Sequence, residues 1–120
     1  MWSVLGICDD ILGIDEKIRF VAHLDGDSNL VEMKMRPNVK SLTEETTDEK
    51  LYSFYEPVIL GVCADLAKDL GDLRSVIMKF GKVSIAFLRI PEAILGISIE
   101  PGYATKVLDE IAKRYKISLG

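Results

Sequence analysis

The sequence predicts an α+β domain: a five-stranded antiparallel sheet with helices on both faces, in the order α-β-β-α-β-β-β-α. Three observations lead there. Residues 18–36 alternate apolar and polar on either side of an Asp25-Gly26 turn, the pattern of a β-hairpin. Residues 83–88 and 94–99 are largely apolar at odd and even positions alike, as in strands covered on both sides. Elsewhere apolar residues recur every three or four positions, the spacing of amphipathic helices.

The first helix is expected to start at Ser3 as N-cap, with Trp2 stapled onto Ile7. Val4, Leu5, Cys8, Ile11 and Leu12 form its apolar stripe, Gly13 stops it, and Ile14 folds back on the last turn. In the first strand Ile18, Phe20, Ala22 and Leu24 face inward; in the second, Val31, Met33 and Met35 do. A four-residue loop, 25–28, then puts Leu24 opposite Asn29, and Pro37 ends the second strand. Residues 38–50 are polar, with Glu44, Glu45, Asp48 and Glu49, and are expected to be the most mobile loop.

A long helical pattern runs from about residue 48 to 70 through Leu51, Phe54, Val58, Val62, Leu66 and Leu70, its acidic start suiting the helix dipole. Pro57 lies inside it. Either the helix kinks there, the favoured reading, or a new helix starts with Pro57 in its first turn. Gly71 closes it. Three strands follow, 75–80, 83–90 and 94–100, separated by Gly81-Lys82 and Pro91-Glu92-Ala93. After Pro101-Gly102, a last helix carries Ala104, Val107, Leu108, Ile111 and Tyr115 on one stripe.

With 120 residues, 48% apolar and 28% charged, the chain is expected to form a single domain over 1–120 with an adequate core. That composition excludes wholesale disorder. A net charge of −4 argues against nucleic acid, which asks for clustered Lys and Arg. Cys8 and Cys63 with one histidine, His23, cannot complete a four-ligand metal site or a disulfide framework. Residues 1–8 carry no charged side chain. They are too few for a membrane span and lack the basic start and cleavage site of a signal peptide, so a reduced, cytoplasmic protein without a membrane partner is expected.

In element order and length, nearly the whole chain resembles the roadblock/dynein-light-chain class of the profilin-like architecture. Three segments resemble an uncharacterised family of small archaeal proteins: Asp15-Glu16-Lys17-Ile18-Arg19-Phe20-Val21, Asp25-Gly26, and Met35-Arg36-Pro37-Asn38-Val39-Lys40-Ser41-Leu42. In that family a "DDKIRFVG" strand and a "GGMRxGVxPL" segment bracket a hairpin. This chain departs from it with Glu32-Met33-Lys34 before Met35-Arg36, and with Pro57. The roadblock resemblance implies a non-catalytic homodimer without a cofactor, paired through the long helix and the neighbouring edge strand. Such a pair would be a platform for a small GTPase or its regulator. The alternative is a small-molecule-sensing regulatory domain, because the profilin-like architecture is similar to PAS and related sensors. Bulky Ile85, Phe87, Leu95 and Ile97 leave such a pocket little room.

Catalytic chemistry finds no constellation. His23 reads as a partly exposed strand histidine with no nucleophile suggested beside it. Adjacent Asp9-Asp10 and Asp15-Glu16 point about 100° apart on a helix, so neither pair converges on one atom; both read as solvated. No glycine-rich phosphate loop is present. The expected site is an interface. In a profilin-like strand order the second and third strands are the sheet edges. The second is blunted by Glu32, Lys34, Arg36 and Pro37, whereas the third has only Lys79 within it. Val58, Val62 and Leu66 of the long helix, with Val76, Ile77 and Met78 of the third strand, are the expected interface residues, with Ile77 or Met78 outermost.

Cys8 and Cys63 sit on apolar stripes with no basic residue within four positions, which fits packing rather than reactivity. Replacing both by Ala should lower unfolding stability by a few kcal/mol, read from urea midpoints. Partner binding should survive.

Overall fold

The computed structural model describes residues 6–27, 29–42, 64–91 and 93–119. Their elements are α1 (Ile7–Leu12), β1 (Ile18–Leu24), β2 (Leu30–Met35), a helical segment α2 (64–70), β3 (Ser75–Lys79), β4 (Ser84–Ile90), β5 (Ala93–Ile99) and α3 (Ala104–Tyr115). The strands form one antiparallel sheet in the order β2-β1-β5-β4-β3, with β2 and β3 at its edges.

Side chains alternate between two buried layers. On the first face, α1 and α3 pack against Val21, Ala86, Leu88, Leu95 and Ile97 through Ile7, Ile11, Val107, Leu108 and Ile111. On the second face Ala22, Leu24, Phe87 and Ile94 are buried, with Phe20, Met33, Val76, Met78 and Ile85 around them. Gly96 lies between Ala22 and Phe87, its cross-strand neighbours in β1 and β4.

Local chemistry sets several boundaries differently from the expectation. Gly6 precedes α1 with φ +100°, a left-handed conformation that interrupts a helix, so α1 begins at Ile7. The Ser3 cap, the Trp2 staple, Val4 and Leu5 lie outside the described residues. Gly13 ends α1 with right-handed φ, its N–H donating to Asp9 O at 3.0 Å, and Ile14 packs onto the first core. At the other end of the chain, Glu100-Pro101-Gly102-Tyr103 makes a turn of type II signature: proline second, glycine third at φ +87°, and Tyr103 N–H donating to Glu100 O at 3.3 Å.

The hairpin register also shifts. Phe20 pairs with Met35 and His23 with Glu32, but a bulge then brings Leu24 opposite Leu30, not Asn29. The turn supplies the reason. Asp25 accepts backbone N–H bonds from Asp27 at 2.9 Å and Asn29 at 3.0 Å, and its own N–H donates to Asn29 O. Those N–H bonds, Asn29's first, hold the Asp25 carboxyl below its ordinary pKa. Val31 is the residue left over at the bulge, and it stands 51% exposed while Met33 and Met35 are half-buried. Residues 43–50 of the polar stretch 38–50, Pro57 and the greater part of the long helical pattern lie outside the described residues.

Arg36 closes the junction between these parts. Its Nε donates to Ile18 O at 2.7 Å, and its Nη2 donates to Leu12 O at 2.5 Å and Asp15 O at 2.8 Å. One guanidinium therefore serves the end of α1, the following turn and the start of β1, three places with carbonyls to satisfy. Replacing Arg36 by Leu should cost about 2–4 kcal/mol in denaturant unfolding, because those carbonyls lose a charged donor. Arg36→Lys should fall between, since an ammonium cannot span all three.

Candidate interaction surface

Several residues with titratable side chains are engaged structurally. Asp10, expected to be solvated, accepts from Tyr115 Oη at 2.6 Å and from Arg114 Nη2 at 2.5 Å, joining α1 to the end of α3. The Arg114 guanidinium holds the Asp10 carboxyl below its usual value, while burial first and Asp10 second push the Tyr115 phenol up. Asp15, also expected to be solvated, has a buried side chain. It accepts from Lys17 N–H at 2.8 Å, which lowers its pKa most, and pairs with Lys106 at 3.3 Å. Arg19 bonds Glu100 at 2.6 Å and Lys40 O at 2.9 Å. Asp9 pairs with Lys34 across α1 and β2. These partners are distant in sequence, and no periodicity could have disclosed them.

Cys8 lies buried under the hairpin, its thiol aimed at Val21 O and Glu32 O. Burial first, then Glu32, push its pKa up to about 12, so the thiolate needed for reactivity is suppressed. Cys63 lies outside the described residues. Among the described residues no group of three His, Cys, Asp or Glu could hold a metal ion, and no helix is long and apolar enough to cross a membrane.

His23 is a correction. It is 2% exposed rather than partly exposed, because odd positions of β1 face the layer beneath α1 and α3. Burial lowers its pKa, with Glu32 and Asp25 opposing.

Exposed apolar side chains stand on both edges of the sheet, Leu30 and Val31 in β2 and Ile77 in β3. Val76 and Met78 turn into the second core, so Ile77, 36% exposed, is the outward residue of the strand. Phe80, just past the strand, is 56% exposed. In α2, Leu66 is 54% and Leu70 77% exposed, so this end of the apolar stripe is not covered by the described core. Val58 and Val62 lie outside the described residues. Among the described residues β3 pairs only with β4, leaving its other edge a row of backbone donors and acceptors there. β2, the opposite edge, carries a bulge, the Lys34–Asp9 ion pair and the Arg36 clamp.

An antiparallel five-stranded sheet in this order, with α1 and α3 on one face, defines a roadblock-like domain. Solved structures agree on that fold. A Roadblock/LC7 domain from Streptomyces avermitilis superposes with TM-score 0.65 at 10% identity, covering 91% of this chain and 88% of that one. The gliding protein MglB from Thermus thermophilus gives TM-score 0.62 at 11% identity, over 97% and 94%. An MglB with a tetrameric arrangement gives 0.66 at 14% identity, over 99% and 90%. No family model and no curated protein matches the sequence.

The buried histidine gives a pH test. A lowered folded pKa means that the unfolded state binds the proton first, so stability is intact above the unfolded value of about 6.5 and is lost as pH falls below it. Urea unfolding of the native protein should weaken from about pH 7 to 5.5, and His23→Gln should flatten that slope.

Proposed function

We propose that the chain is a non-catalytic, cytoplasmic interaction module, one roadblock-like domain over residues 1–120, that pairs with a second copy through β3 and the neighbouring helix. The observation that carries this reading is the unguarded β3 edge, flanked by exposed Leu66, Leu70, Ile77 and Phe80. A row of unpaired backbone groups beside exposed apolar side chains favours continuation of the sheet by another strand. The bulge, ion pair and Arg36 clamp at the β2 edge support β3 as the side of pairing. Self-association of a fold neighbour, the MglB with a tetrameric arrangement, supports the same direction.

Val58, Val62, Leu66, Val76, Ile77 and Met78 are the proposed interface region, with Ile77 making the direct contact and Val76 and Met78 supporting it from the second core. A contact of this kind needs to bury about 1,000 Å² or more in total. The paired sheets form a platform, and by the roadblock resemblance its occupant is a small GTPase or a GTPase regulator. Affinity purification from the native cell, with mass spectrometry, identifies that occupant.

Light scattering at micromolar concentration should report a dimer. Ile77→Asp should give a folded monomer, because a carboxylate at the outward position of the edge would be desolvated in the pair. A wild-type chain that stays monomeric to high micromolar concentration, or that purifies with a bound small molecule, would favour the sensor reading.

A further inference from the structure

Charge is segregated along this side of the chain. Residues 64–72 carry Asp65, Asp69 and Asp72 against Lys68 alone, whereas residues 73–91 carry Arg74, Lys79, Lys82 and Arg89 and no carboxylate. Asp65 pairs locally with Lys68 at 3.9 Å. Asp69, Asp72, Lys79 and Lys82 are exposed, and among the described residues none of the four makes an ion pair. Within one copy they cannot meet along the strand. The acidic pair precedes β3, the basic pair lies at and just past its end, and the ends of a five-residue strand stand roughly 14 Å apart.

A second copy removes that separation. A two-fold axis normal to the sheet sets one β3 antiparallel to the other, so the start of each strand lies beside the end of its mate. Directly opposed residues in an antiparallel pair share a face. The axis must therefore pass through a residue, not between two, if Val76 and Met78 are to keep facing the second core in both copies. We infer that the axis passes at Ile77, so that the Asp69–Asp72 end of one copy faces the Lys79–Lys82 end of the other, twice per dimer. This register sets Val76 opposite Met78, Lys79 opposite Ser75 and Arg74 opposite the exposed Phe80 ring, and it carries Asp72 toward Lys82. Moving the axis to Met78 sets Arg74 against Lys82, a repulsion. Moving it to Val76 sets Asp72 against Phe80 and leaves the lysines unmatched. Of these three registers, the charges select the one centred on Ile77.

The inference rests on the pairing along β3 proposed above. Its test uses two charge-reversed chains, one with Lys79→Glu and Lys82→Glu and the other with Asp69→Lys and Asp72→Lys. All four positions are exposed, so both chains should fold, which circular dichroism checks. In sedimentation equilibrium each variant alone should self-associate about tenfold more weakly than wild type, because both of its contacts become like-charged. An equimolar mixture should recover wild-type affinity as a heterodimer, since every acidic end then meets a basic one. Wild-type pairing should also weaken as salt is raised. Variants that self-associate as tightly as wild type, or a mixture no tighter than its components, overturn the register while leaving the dimer in place. A monomeric wild type overturns the pairing itself.

Discussion

Consecutive strands β2 and β3 occupy opposite edges of the sheet, and the rest of the architecture follows from that separation. Four inter-strand spacings lie between them, about 19 Å. The chain must cross that distance, which is why the segment joining them is the longest in the molecule. The crossing also leaves two antiparallel units, β1–β2 and β3–β4–β5, that become one sheet only where β1 pairs with β5. That seam is the most deeply buried part of the structure: Val21, Ala22, Leu24, Leu95, Ile97 and Ile99 are all inaccessible. Continuous apolar sequence in β5 is the chemical counterpart of a seam covered on both sides.

The first face is closed by two helices from opposite ends of the chain. α1 is only six residues long, too short to be stable by itself, and its hold on the sheet depends on its neighbours. Ile7, Ile11 and Cys8 provide the apolar contact, Arg36 takes the carbonyl of Leu12, and Asp10 binds Arg114 and Tyr115 of α3. Polar groups here do not replace packing. They fix the orientation in which packing occurs, and they satisfy helix-end groups that burial would otherwise leave unpaired.

The sheet was legible in the sequence because alternation and two-faced burial are written in consecutive residues. All five strands and the stripe of α3 could be read from that pattern, whereas the two edges followed from the profilin-like resemblance. Where reading failed, the deciding contact was distant or conformational. Gly6 shows no sequence sign that its φ is positive, so α1 was placed too early. The bulge at Leu24 follows from how Asp25 folds its own turn, and it overrides the simple count of loop residues. His23 was assigned to the polar face of β1, yet that face lies under α1 and α3 and both faces of the strand are buried. Asp10 and Asp15 read as solvated because Tyr115 and Lys106, which hold them against α3, stand about 90 or more positions away in the chain. Of the residues proposed for an interface, Leu66 and Ile77 stand exposed, and β3 lies at an edge of the sheet. The outward choice between Ile77 and Met78 needed the register with β4.

The two edges of this sheet are unlike, and that asymmetry limits stoichiometry. A sheet open at both sides can add copies without end, because each addition exposes a fresh edge. Here the β2 side is bent by its bulge, tied to α1 through Lys34 and Asp9, and stopped by Pro37. Joining two copies at β3 consumes the one receptive side of each and presents β2 at both ends. In the proposed pair growth would therefore terminate after a single addition, and such association through the sheet would not seed fibres.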